Sequence, residues 1–255
     1  MNPIEPEKTV QDLIEFIKTA FDKARFSRAV IALSGGVDSS TSFALSVKAL
    51  GKDNVFPLLF PYGDLNYQGV VDANILIDQY GITKLHVSTI NIKPIVDPIL
   101  KLDASIDNVR RGNIMARVRM IVLFDAAKKQ NALVIGTENK TEHLLGYYTR
   151  FGDEASDIEP LRNFYKTQVY QLAQYLGIPE QIIHKKPTAG LWEGQTDEGE
   201  FGFTYKDADE ILYQLHDEKK SVEEIKSIEF DQQIIEKVLQ RVTRSSFKRT
   251  LPILP

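Results

Sequence analysis

The run Ala29-Val-Ile-Ala-Leu33 followed by Ser34-Gly-Gly-Val-Asp-Ser-Ser40 decides the fold. Its first five residues are apolar and partly β-branched, the composition of a buried strand. Residues 41–50 are good helix formers without Gly or Pro, and Gly51 stops them. A strand ending in a Gly-rich turn that opens a helix is a phosphate cradle. The glycines admit a ligand close to the backbone, and the free N–H groups of the helix start face the anion. The two commonest cradles are excluded: no Lys completes a Gly-x-x-x-x-Gly-Lys-Ser/Thr loop, and the Gly-x-Gly-x-x-Gly spacing is missing. An acid, Asp38, stands in the turn instead. A bare carboxylate repels phosphate, so Asp38 reads as a ligand for Mg2+, which is commonly shared between carboxylates and substrate phosphates. The plainer alternative is a helix start capped by Asp38 or Ser39.

Working outward, Asn54–Phe60, Leu85–Ile90 and Ala132–Ile135 read as three more strands, separated by helical sequence at 67–80 and 107–129. In the longer helix Ile114, Val118, Ile121, Val122 and Asp125 mark one face, apolar until its last member, and Arg110, Asn113 and Arg117 another. Upstream, residues 6–24 read as an amphipathic helix with Val10, Leu13, Ile14, Ile17 and Phe21 near helical spacing. This alternation predicts an α/β fold: a doubly wound, mostly parallel sheet with helices on both faces, Rossmann-like. Thr137 then falls at the carboxyl edge of the sheet, beside the cradle, where open α/β sheets bind ligands. Helices are expected near 165–176, 179–184, 207–217, 221–226 and 231–244. The polar, Gly-rich stretch 186–202 reads as a structureless lid, and 247–252 as a basic, proline-ended tail. No repeat or linker divides the chain, so it reads as one domain over 1–255 with a helical C-terminal part.

The 255 residues are 43% hydrophobic and 26% charged, ordinary for a soluble globular protein. A net charge of −4 argues against a broad basic face for nucleic acid. No apolar run approaches the roughly 20 residues of a membrane span, and the acidic start lacks a signal-peptide pattern; a cytoplasmic protein is expected. There is no cysteine, which removes disulfides, thiolate metal sites and thiol nucleophiles together. The four histidines show no metal spacing.

Ser-Gly-Gly-x-Asp-Ser resembles the pyrophosphate loop of the ATP pyrophosphatases, which split ATP between its α and β phosphates and adenylate a substrate. Further segments narrow the match: NIMARVRM at 113–120, GTENKTE at 136–142, GYYTRFGD at 146–153 and KKPTAGLWEGQTDEGEFG at 185–202. Taken with SGGVDSS at 34–40, the chain is similar over nearly its whole length to the ammonia-dependent NAD synthetases. That resemblance implies ATP-dependent amidation of deamido-NAD to NAD, the final step of NAD biosynthesis, through an adenylated carboxylate with release of AMP and pyrophosphate. Lacking cysteine, the chain would take free ammonia or receive it from another chain. The alternative is a non-catalytic ATP-binding regulatory module.

The resemblance also implies residue roles. ATP would be held by Leu33, Ser34, Gly35, Gly36, Val37, Asp38, Ser39, Ser40, Thr137, Lys166 and Thr188, and Mg2+ by Asp38 and Glu142. Deamido-NAD would be held by Arg117, Arg150, Asp157, Phe247 and Lys248. Phe247 stands where many relatives carry His, so a polar contact there is not expected. Asp38, Asp153, Lys166 and Thr188 form the implied catalytic set, with Asp153 orienting ammonium and taking a proton. A homodimer is implied as well.

Overall fold

Four parallel strands, β1 (Ala29–Ala32), β2 (Val55–Leu59), β3 (Ser88–Thr89) and β4 (Leu133–Ile135), lie side by side in the order β3-β2-β1-β4. The computed structural model describes residues 3–227 and 229–250; Leu251 and Pro252 of the expected tail lie outside them. β1 is the hub, with Ala29–Ala32 in register against Val55–Leu58 on one side and Ala29–Ile31 against Leu133–Ile135 on the other. Twelve α-helices occur among the described residues. They are α1 (Pro6–Ala24), α2 (Val37–Leu50), α3 (Tyr67–Gln79), α4 (Lys93–Leu100), α5 (Asn108–Gln130), α6 (Lys140–Leu145), α7 (Lys166–Tyr175), α8 (Glu180–Ile183), α9 (Asp197–Phe201), α10 (Tyr205–His216), α11 (Val222–Lys226) and α12 (Gln232–Arg244).

Successive residues of a strand face opposite sides of a sheet, and β1 divides its side chains accordingly. Ile31 joins a core with Phe21 of α1, Phe43 and Leu45 of α2, Leu76 of α3 and Leu172 of α7. Val30 joins a second core with Phe56, Met115, Val118 and Leu123, the last three from α5. With both faces covered, the strands must be apolar throughout, which is why they read as uninterrupted hydrophobic runs. The doubly wound parallel sheet expected from the sequence is the one formed. A third core, holding Leu145, Tyr165, Phe201, Ile211, Leu212, Ile235 and Val238, knits α6 and the C-terminal helices together.

The structure departs from the sequence reading in four places. β3 is two residues long and exposed, because it is the sheet edge and Leu85 lies outside it, 92% exposed in a 3-10 turn over Lys84–His86. The stretch after β4, read as a loop, returns to the sheet: Asp157 and Ile158 donate to Val134 O at 3.0 and 3.2 Å, and Gly136 N to Ile158 O at 2.8 Å. On α5 the buried stripe runs through Met115, Ala116, Val118, Leu123 and Ala127, leaving Ile121 61% exposed. The expected lid is not structureless; it contains α9, and Gln195 and Asp197 are buried. No described helix is long and apolar enough to cross a membrane.

Two glycines fix how the cradle sits. Gly35 has φ +74, and a Cβ there would lie 2.2 Å from Gly69 O; a Cβ on Gly69 would lie 2.5 Å from Ser34 O. The first turn of α3 therefore presses backbone to backbone on the turn after β1. Gly69→Ala is expected to destabilise the protein by about 1–3 kcal/mol through this overpacking, seen as a lowered melting temperature.

Candidate active site

At the carboxyl edge of the sheet opens a cavity of about 540 Å3. α2 starts at its wall with Gly36 as N-cap and no side-chain cap, so the first N–H groups of the helix stay available to an anion. Two serines shape the turn: Ser34 Oγ lies 3.0 Å from Ser39 Oγ, which donates to Gly36 O at 3.1 Å. Leu33, Ser34, Gly36, Val37, Asp38 and Ser39 line the cavity, joined by Thr137, Glu142, Asp153, Lys166 and Thr188. Gly35 and Ser40 do not. Gly35 supplies the left-handed turn, while Ser40 is fully buried with an unpartnered hydroxyl and its N–H donating to Gly36 O.

The charged centre is Lys166. Only 2% exposed, it donates from Nζ to Asp38 Oδ2 at 2.5 Å and to Glu142 Oε1 at 3.0 Å. Burial works against its charge, but the two carboxylates outweigh it and hold the ammonium well above the ordinary lysine value. Glu142 is shifted upward, chiefly by burial and against the pull of Lys166. Each partner is held from behind. Asn139 caps α6 by accepting from Glu142 N at 3.0 Å and also donates to Asp38 Oδ1 at 2.8 Å. Thr141 Oγ1 accepts from Lys166 N at 2.9 Å and donates to the buried Asp209, which takes Thr167 N at 2.8 Å. Facing them from the lid, Asp197 accepts from Tyr205 OH at 2.9 Å and Tyr147 OH at 3.0 Å.

Asp38 and Glu142 thus aim hard oxygen donors at one cationic point. That arrangement fits a divalent cation taking a few carboxylates and completing its shell from phosphate and water.

Across the cavity, Asp153 Oδ1 accepts from Thr149 N at 2.9 Å, and Arg119 faces it while donating from Nε to Phe60 O at 3.2 Å. The carboxylate opens on the cavity but is crowded by protein elsewhere; that desolvation raises its pKa, against the Thr149 N–H and Arg119. Behind Thr137, Glu138 is 4% exposed with Arg162 Nη2 2.9 Å from its Oε2. Burial pushes it up to about 8 in spite of Arg162.

The residues expected to hold deamido-NAD are brought together less fully. Lys248 lines the cavity, its Nζ donating to Gly146 O and Tyr148 O at 2.7 Å each. Arg117 is exposed outside it and donates to Arg150 O at 3.2 and 3.3 Å. Arg150 in turn lies over the rings of Phe151 and Phe247, at 5.2 and 5.7 Å. Phe247 borders a smaller neighbouring cavity of about 320 Å3 that shares Lys248. Asp157 accepts from Val134 N at 2.8 Å and so serves the sheet edge.

Sequence reasoning missed Asn139, Asp197, Tyr205, Asp209 and Arg119. Asn139 was findable, since Asn139-x-x-Glu142 is a capping-box spacing. The others sit on elements whose approach to the site is set by tertiary packing.

A family model described as NAD synthase matches residues 9–252. The NH(3)-dependent NAD(+) synthetase of Pyrococcus furiosus is 47% identical over 257 residues, covering 100% of this chain and 96% of that one. Among solved structures, the NMN synthetase of Francisella tularensis superposes with a TM-score of 0.87 at 35% identity, over 99% of both chains. The NH3-dependent NAD synthetase of Campylobacter jejuni gives 0.83 at 30% identity, over 99% of this chain and 100% of that one.

Glu138 makes a pH prediction. Folded, it keeps a proton up to about pH 8 that the unfolded chain releases near 4.5, so stability falls as pH rises across that window. Glu138→Gln removes the titration and is expected to flatten the slope, by at most about 1.4 kcal/mol per pH unit, in urea midpoints compared at pH 5 and 8.

Proposed function

The chain belongs to the NAD synthase family, and from that premise we propose that it joins ammonia to the nicotinate carboxylate of deamido-NAD, consuming ATP and releasing AMP and pyrophosphate. It is a ligase that forms a C–N bond. The observation that carries the division of roles is the meeting of Lys166 with Asp38 and Glu142 beside the uncapped start of α2. No comparable support exists for a non-catalytic ATP-binding module.

A carboxylate does not lose oxide to an amine, so its oxygen first attacks the α-phosphorus of ATP. The P–O bond to pyrophosphate breaks, and the electron pair leaves with the pyrophosphate. The N–H groups after Gly36, with Ser34 and Ser39, hold the departing pyrophosphate. Thr137 and Thr188 contact ATP from the sheet edge and the lid. Lys166 supplies positive charge where the α-phosphate gains negative charge, the kind of preorganised stabilisation that dominates such steps. Asp38 and Glu142 would hold Mg2+, which when bound offsets charge on the phosphate oxygens. In the second step ammonia attacks the acyl carbon and AMP leaves with its electron pair. Asp153 orients ammonium and takes its proton, a role that suits a carboxyl held above its usual range.

Arg117 and Phe247 are exposed and Arg150 is half-buried, all three beside the cavity rather than lining it, and Ile121 of α5 is 61% exposed. These features support a homodimer in which a second copy helps close the dinucleotide site. The reading extends to work in the cytoplasm on free ammonia or ammonia passed from another chain. A second substrate reading, deamido-NMN, is favoured by the likeness to the Francisella tularensis NMN synthetase.

Purified protein incubated with ATP and magnesium, either nucleotide, and ammonium or glutamine decides between these readings. NAD formed one-for-one with AMP from ammonium, and not from glutamine, is the expected result. NMN formed faster than NAD would select the second substrate, and no AMP under any condition would refute the activity. Asp153→Asn is expected to cut kcat by roughly 100- to 10,000-fold while ATP still binds. Normal rates at all ammonium concentrations would remove Asp153 from the mechanism.

A further inference from the structure

α3 touches both the cradle and the lid. Its first turn meets the cradle through Gly69, which sits against Ser34 O and Gly35. At the next turn Asp72 is 1% exposed and accepts three hydrogen bonds: from Gln68 Nε2 at 2.9 Å, Gln181 Nε2 at 3.0 Å and Lys185 Nζ at 2.5 Å. Burial alone would raise this carboxyl, yet Lys185, Gln68 and Gln181 hold it below its ordinary value. Gln181 belongs to α8, and Lys185, which itself lines the cavity, immediately precedes Lys186, Pro187 and Thr188, which line it too. The same stretch returns to the entry of α3, where a Cβ on Gly190 would lie 3.1 Å from Asn66 Nδ2.

A buried ion pair adds little stability over an apolar pair of the same volume, because two charges must be desolvated. What a carboxylate with three donors does supply is direction. Asp72 itself does not line the cavity, so its effect on the reaction must pass through Lys185.

We propose that Asp72 is a positioning residue: by holding Lys185, it fixes the entry of the lid to the helix that braces the cradle, and so places Lys186 and Thr188 over the phosphates of ATP. This rests on the assignment of ATP to the cradle. Lid and cradle are then carried by one rigid element, and the distance between them is set before the nucleotide arrives.

The test compares the full-length wild type with the double variant Asp72→Leu/Lys185→Met, and with Asp72→Asn and Lys185→Arg. Melting temperature, both KM values and kcat are measured. Fluorescence of Trp192, the single tryptophan and a lid residue lining the cavity, is followed during titration with Mg-ATP alone. The double variant is expected to melt close to the wild type, since both charges are removed together. Its KM for ATP should rise about tenfold or more while that for deamido-NAD moves less than about twofold, and its Trp192 response should shift to higher ATP. Lys185→Arg, which keeps the pair, should return most of the ATP affinity. A double variant that folds and keeps wild-type KM for ATP overturns the proposal, as does an equal rise in both KM values. Asp72→Asn, which leaves the Lys185 charge at the cavity in place, is expected to raise the KM for ATP as well. An unchanged KM in that variant assigns the double variant's loss to Lys185 itself and overturns the proposal, and Asp72→Asn decides alone if the double variant does not fold. A wild type that shows no ATP binding overturns the cradle assignment and this proposal together; wild-type binding with an unchanged variant overturns the proposal alone.

Discussion

Three charged side chains from three helix starts meet at one point, and most of the site follows from that meeting. Asp38 is in the first turn of α2, Glu142 in the first turn of α6 and Lys166 at the first position of α7. Helix starts carry partial positive charge, which favours the two acids and disfavours the lysine. Lys166 is tolerated there because the acids sit on it directly and Asp209 satisfies the start of α7 from behind. Removing Lys166 leaves two carboxylates facing each other without their counterion, the change that costs most at a buried pair, about 3–5 kcal/mol, whereas removing one acid leaves the lysine paired with the other. The edge is thus pre-charged: a set of anion-seeking N–H groups, a buried cation and two carboxylates are fixed within a few ångströms of one another.

The layers around that centre have separate tasks. The sheet and its two cores set where the strand ends lie, and the strand ends set where α2 and α6 begin. The third core, built from the C-terminal helices, carries Tyr205 and supports α9, so the acid Asp197 approaches from the lid side. Two phenols, Tyr147 and Tyr205, bind Asp197 at both oxygens, and burial with these acids drives both phenols above the usual tyrosine value. They therefore stay protonated and serve the lid as hydrogen-bond donors.

The sheet was legible in the sequence because a parallel strand covered on both faces has to be apolar at every position, and 29–33, 55–60 and 132–135 are. The cradle was legible because only glycine permits the approach of Gly35 to Gly69. Legibility fails where a residue's neighbour is far along the chain. Asp157 is an acid in a loop-like stretch, and nothing local says that its carboxylate will take Val134 N. Ile121 continues an apolar stripe on α5, yet the sheet packs against the adjoining face. Arg117 and Arg119 are two residues apart and so point in different directions on a helix. Motif reading named Arg117, while Arg119 faces Asp153. The order inside 186–202 was hidden for the same reason: α9 is short, and Tyr147 and Tyr205, which satisfy its acid, lie outside the stretch.

The wall of the cavity draws on residues as far apart as Ala32 and Lys248, and its last member is pinned late, Lys248 to Gly146 O and Tyr148 O. A ribosome delivers β1 to β4 and the cradle long before this cation emerges. In chain order the nucleotide turn therefore precedes, by most of the chain, the lysine that completes the cavity wall near Asp153. The chamber is thus closed by contacts of long range: the turn after β1 and the lysine that pins Gly146 and Tyr148 lie near opposite ends of the described chain, so the complete wall exists only once that whole span has folded.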